Sequence, residues 1–241
     1  MSLGCAAAAA HAESWFQFEA GAGVTFAERL GDDMYYQRGF SHDTPNGSYG
    51  GRIGIQMNVL KPDHWTPGVH LHLDYYNFGK VRWSSTDAED PNPQGTSGYN
   101  VATQKCNGNN CGTFRNFEST GGIQAIALTI EPYWDIGSGW SLGVEAGPSL
   151  FRSTWSATAT ALSDGGFGPA GSQEQFSRQP RTQFGWLIGA SISKGPFSLR
   201  YNYLRAPVDG SNSGTSSRVG GGQWVPSGIN GVHMISLNYT F

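Results

Sequence analysis

The segment VHMISLNYTF, residues 232–241, decides the fold. Ile235, Leu237, Tyr239 and Phe241 fall on one side of an extended chain, and Ser236, Asn238 and Thr240 on the other, because strand side chains alternate with period two. An aromatic residue ends the segment at Phe241. This pattern predicts a strand with one apolar and one polar face, and the same pattern recurs upstream.

Alternation predicts eight strands, over 15–26, 50–59, 69–83, 122–136, 140–153, 183–194, 197–205 and 232–241. Most have the roughly 9–11 residues that a tilted strand needs to cross a bilayer. No helical period competes over a comparable length, and no apolar run approaches the 18 or so residues of a membrane helix. The expected connections after the second, fourth and sixth strands are short: 60–68, Gly137-Ser138-Gly139 and Gly195-Pro196. Those after the first, third, fifth and seventh are long and rich in Gly, Ser, Asn and Pro, so all the long ones project from one end.

The short turns also predict register. Pairing Ile136 with Trp140 sets Trp134 against Leu142, Ile130 against Ala146 and Glu131 against Glu145. Around Gly195-Pro196, Lys194 meets Phe197, Ile192 meets Leu199 and Ser191 meets Arg200. Across the longer turn, Val59 is expected to meet Val69, Ile55 to meet Leu73 and Gly54 to meet Asp74. Each hairpin then has an apolar face and a face of polar residues and glycines.

Composition limits the function classes. Charged residues make up 14% of the chain, against about 25% in ordinary soluble domains. The 241 residues include 35 glycines, and 13% are aromatic. A net charge of −3 leaves no electrostatic footprint for nucleic acid. Trp15, Phe16, Trp65, Trp134, Trp140, Phe197, Tyr239 and Phe241 gather near the short-turn end, and Trp83, Trp155, Phe184, Trp186 and Tyr203 nearer the other. Two aromatic belts around an apolar band, with glycines crowding the opposite face, describe a membrane barrel.

On strand number, loop asymmetry and the terminal Tyr239-Thr240-Phe241, the chain resembles the small eight-stranded OmpA/OmpX-type outer-membrane β-barrels. The resemblance implies an all-β, antiparallel up-and-down barrel over 13–241, with short periplasmic turns and long extracellular loops. It also implies a last strand that closes the barrel, in which Leu237, Tyr239 and Phe241 form a signal for the barrel-assembly machinery. Outer-membrane lipid and lipopolysaccharide become the expected surroundings, with an extracellular protein or glycan as the ligand class for the loops.

Residues 1–12 have the small-x-small ending, Ala10-His11-Ala12, of a secretory signal remnant. Cys106 and Cys111 then remain to form a small loop disulfide in an oxidising compartment. The surrounding stretch offers Tyr99, Phe114, Arg115 and Phe117 as candidate loop contacts, in the mix of aromatic anchors and small polar residues seen in antibody loops.

The inward face is expected to hold Glu19, Arg52, His70, His72, Asp74, Glu131, Glu145 and Arg200. Eight strands leave room only for side chains inside, and isolated buried carboxylates are costly, so Arg52 and Arg200 should bridge the acidic layer and plug the barrel. A narrow pore for small solutes or ions is the alternative. No catalytic residue, metal or cofactor is assigned. Gly166–Gly171 fits GxGxxG only as a string, and Ser41-His42-Asp43 lacks the spacing for triad geometry. Asp87, Glu89 and Asp90 lack EF-hand spacing. A lipid A-modifying barrel is the enzyme rival, but the His-x-Ser of the deacylases does not occur here.

Overall fold

A computed structural model of the chain describes residues 15–29, 42–43, 47–63, 66–88, 99–100, 105–106, 114–161, 169–178, 182–206 and 229–241. Eight long strands carry the fold. They are β1 (Phe16–Arg29), β2 (Gly47–Leu60), β3 (Gly68–Ala88), β4 (Phe114–Gly137), β5 (Trp140–Ala161), β6 (Thr182–Lys194), β7 (Phe197–Arg205) and β8 (Ile229–Thr240). Each pairs antiparallel with its chain neighbour, and β1 pairs with β8, so the sheet closes on itself without an open edge. The short strand Gln173–Arg178 extends the sheet beside the far end of β5, and His42–Asp43 pairs beside β3.

The register agrees with the sequence at most turns. Trp134 lies opposite Leu142, Ile130 opposite Ala146, Lys194 opposite Phe197, Ser191 opposite Arg200, and Gly54 opposite Asp74. Two local slips differ from expectation. Gly137, not Ile136, lies opposite Trp140, after an irregularity between Asp135 and Gly137. Here Gly137, Ser138 and Gly139 all take positive φ, and Asp135 Oδ1 accepts the Gly137 N–H at 2.8 Å, so the turn is tighter than a three-residue loop. Leu60, not Val59, lies opposite Val69, after an irregularity between Asn58 and Leu60.

Strands β3, β4 and β5 run well past their expected ends, to Ala88, from Phe114 and to Ala161. The extensions, such as Thr154–Ala161, set Ser and Thr on one face against Trp155 and small alanines on the other, so the apolar–polar contrast that marks a strand weakens while pairing continues. A bulge at Gly79 (φ 78°), whose N–H donates to Asn77 Oδ1 at 3.0 Å, separates the two parts of β3.

Outward positions are apolar and exposed around the whole circumference. Phe18, Ile53, Leu73, Leu128, Leu150, Ile188, Leu199 and Leu237 represent the eight strands in turn. Inward positions divide into two levels. Toward the long-loop end lies an apolar cluster of Tyr76, Phe78, Ile123, Phe151, Leu187, Leu204, Val232 and Met234. Below it, toward the short turns, lies a layer of buried charge. The apolar cluster is a departure from the wholly polar interior expected from sequence.

Candidate functional site in the barrel interior

Each charged residue of the lower layer faces inward because it has the inward parity of its strand. Glu19, Arg52, His72, Asp74, Glu131, Glu145 and Arg200 are all buried, and His70 is half-buried at the rim below them. The expected acidic layer therefore forms, with both arginines inside it.

Arg52 Nη2 donates to Glu19 Oε2 at 2.7 Å and to Asp74 Oδ2 at 2.8 Å. Arg200 Nη1 donates to Glu145 Oε2 at 2.8 Å and Glu131 Oε2 at 3.0 Å, while Nη2 reaches Glu19 Oε1 at 3.3 Å. Glu19 is thus shared by both guanidiniums, which ties β1 to β2 and, across the lumen, to β7. The two carboxylates of Glu131 and Glu145 stand close because one Arg200 nitrogen lies between them.

His72 occupies the centre. Its Nε2 lies 2.6 Å from Glu131 Oε2, and its Nδ1 lies 3.3 Å from Glu19 Oε2. His70 Nδ1 lies 3.8 Å from Glu131 Oε2, and the His70 ring stacks on Tyr133 at 4.0 Å.

Several partners were not assigned from sequence. Ser191 Oγ donates to Glu131 Oε1, Asn202 Nδ2 donates to Glu145 Oε1 at 2.5 Å, and Thr240 Oγ1 donates to Glu19 Oε1 at 3.4 Å. Tyr76 O–H donates to Glu145 Oε1 at 3.4 Å, linking the charged layer to the apolar cluster above. Inward parity next to a charge was the only signal for these, and the predicted pairing of Ser191 with Arg200 was its clearest instance.

Beneath the layer a cavity of about 1080 Å³ lies at the short-turn end. Its lining includes Trp15, Gln56, His70, Glu131, Ser193 and Arg200. The other sequence-assigned residues lie apart from it. Leu237, Tyr239 and Phe241 point outward and are exposed. Tyr99 and Cys106 belong to a short hairpin, Tyr99–Asn100 with Lys105–Cys106, and Phe114, Arg115 and Phe117 to the far end of β4. The side chains of these five, with Cys111, residues 1–12, Trp65 and the side chains of Trp83 and Trp155, lie outside the described residues.

Closed strand order, outward apolar face and inward charge define a small eight-stranded barrel of the outer-membrane type. Among solved structures the chain is similar to Neisserial surface protein A, with 14% identity over 94% of this chain and 96% of that one, at a TM-score of 0.38. It is also similar to Ail, the attachment invasion locus protein of Yersinia pestis, with 11% identity over 94% of this chain and 97% of that one. The TM-score is 0.36 for that protein alone and 0.35 for its complex with the heparin analogue sucrose octasulfate. No protein-family model matches the sequence, and no curated protein does.

Proposed function

We propose that the chain is an integral outer-membrane barrel, exported by way of residues 1–12, in which a closed interior holds up long connections that make contacts outside the cell. The observation that carries this reading is the apolar outer face of a closed sheet. From Phe16 to Phe26, ten residue steps along β1, a rise of about 3.3 Å per step and a tilt of about 40° span roughly 25 Å, the height of a lipid-facing band. An apolar surface of that extent is unsuited to water, and a closed barrel leaves no backbone group unpaired in lipid.

The interior supports a scaffold more than a conduit, because the apolar cluster stands directly above the ion-paired layer. Lipid and lipopolysaccharide would contact the outer face, and the assembly machinery would read Leu237, Tyr239 and Phe241. The external partner would be a protein or glycan met by the connection that includes Tyr99 and by the far end of β4 with Phe114, Arg115 and Phe117, the loop between them held by a Cys106–Cys111 disulfide. On this reading the protein is not an enzyme. The refolded protein should migrate faster before boiling than after, and planar bilayers containing it should show negligible conductance. A narrow pore is the second reading, favoured by a cavity that reaches Glu131 and Arg200 from below. A steady conductance that changes in Glu145→Ala would establish it in place of the scaffold.

The bilayer placement has its own test. Leu128 is 47% exposed and sits about midway along the apolar stretch of β4. In water, Leu128→Arg would be nearly neutral. At the middle of a bilayer it is expected to destabilise the barrel by about 2–4 kcal/mol. Denaturant titration in lipid vesicles measures the difference, and an unchanged midpoint would count against a lipid-facing position.

A further inference from the structure

From the lower interior we infer a binding site for a divalent transition-metal ion of the zinc class, with His70, His72 and Glu131 as its protein ligands, at the roof of the cavity on the short-turn side.

The backbone places the three together. His70 and His72 are two residues apart on β3, so both imidazoles face inward. Glu131 lies directly opposite His70 on β4, and diagonal to His72. One donor atom from each lies within 4.8 Å of the others. Ligands about 2.0–2.1 Å from a tetrahedral zinc stand roughly 3.3 Å from one another. His70 Nδ1 at 3.8 Å from Glu131 Oε2 is near that spacing, and His72 Nε2 at 2.6 Å must draw back by less than an ångström.

The supporting contacts suit ligands as well. Tyr133 stacks on His70 and sets its plane, while Ser191 Oγ holds the second oxygen of Glu131. The cavity touches His70 and Glu131 from below, which provides an entry path to the site.

Charge points the same way. Four buried carboxylates, Glu19, Asp74, Glu131 and Glu145, face two buried guanidiniums, Arg52 and Arg200, leaving two negative charges unmatched by arginine. A divalent ion bound by two neutral imidazoles balances them. Arg200 stays bound to Glu145 and Glu19 if Glu131 turns toward the metal.

The test uses the full chain refolded in detergent, stripped with a chelator and titrated with Co²⁺, followed by displacement with Zn²⁺. One saturable equivalent with the visible absorption of a tetrahedral cobalt site is expected. His70→Ala should weaken it at least about tenfold while the heat-modifiable band persists. His70→Asn replaces it if alanine disturbs folding. His233→Ala, which alters the separate outward His233–Glu28 pair, should change nothing. Absence of saturable binding, or equal affinity in the His70 variants, overturns the site.

Discussion

Arg52→Leu is expected to destabilise the barrel by about 3–5 kcal/mol, because it leaves Glu19 and Asp74 buried without their shared guanidinium. Arg52 is 1% exposed, so water does not replace the lost donors without rearrangement of the layer. The attraction between the partners matters less here than the penalty of a single unmatched charge. Combining Arg52→Leu with Asp74→Asn should therefore recover part of the loss, since one of the stranded carboxylates is removed with it. Denaturant midpoints of the three proteins in detergent measure this. A single-variant loss no greater than that of an exposed change such as Lys80→Ala would contradict the burial of the layer.

Gly147→Val is expected to prevent closure outright. A Cβ built at Gly147 would lie 2.0 Å from the Leu128 carbonyl oxygen and 2.7 Å from Thr129 Cα. Both atoms belong to the backbone of the neighbouring strand, so the ladder between β4 and β5 would have to move apart. Loss of the fast-migrating unboiled band, with protein accumulating unfolded, is the expected result. Gly51→Ala serves as its control. Its Cβ would have nothing nearer than the Gly21 carbonyl oxygen at 3.4 Å, an ordinary contact, and normal folding is expected. A normally folding Gly147→Val would mean that the two strands are further apart than described.

The glycines explain why the sequence reading reached the right topology. Gly23, Gly54, Gly143 and Gly147 fall on the same face as the charges, where added Cβ atoms would strike neighbouring chains or buried side chains. They mark the crowded side and so orient β1, β2 and β5. Register was legible at the turns because Gly195-Pro196 leaves few ways to pair Lys194 with Phe197. It slipped by a residue at Ile136 and at Val59 because bulges have no reliable signature in an alternating pattern.

The charged layer was legible as a set, since ionisable residues on an inward face stand out against glycine and serine. Its neutral members were not. Ser191, Asn202 and Thr240 look like any other polar inward residue until the strands are wrapped and their distances are fixed. The apolar cluster was hidden for a related reason. Phe78, Phe151, Leu204 and Met234 are single residues on four separate strands, and only closure of the barrel brings them into one group.

One consequence concerns how such a sheet assembles. The charged layer draws contacts from all eight strands, from Glu19 on β1 to Thr240 on β8, and joins residues 181 and 221 positions apart in sequence. Hairpins can form from neighbouring residues alone, but Arg200 meets Glu19 only when the two ends of the chain are brought together. An incomplete sheet would therefore keep the Arg52 pairs between neighbouring strands but lack the Arg200–Glu19 contact, which forms only when the ring closes. That contact thus acts as a latch, favouring a finished ring over an open sheet.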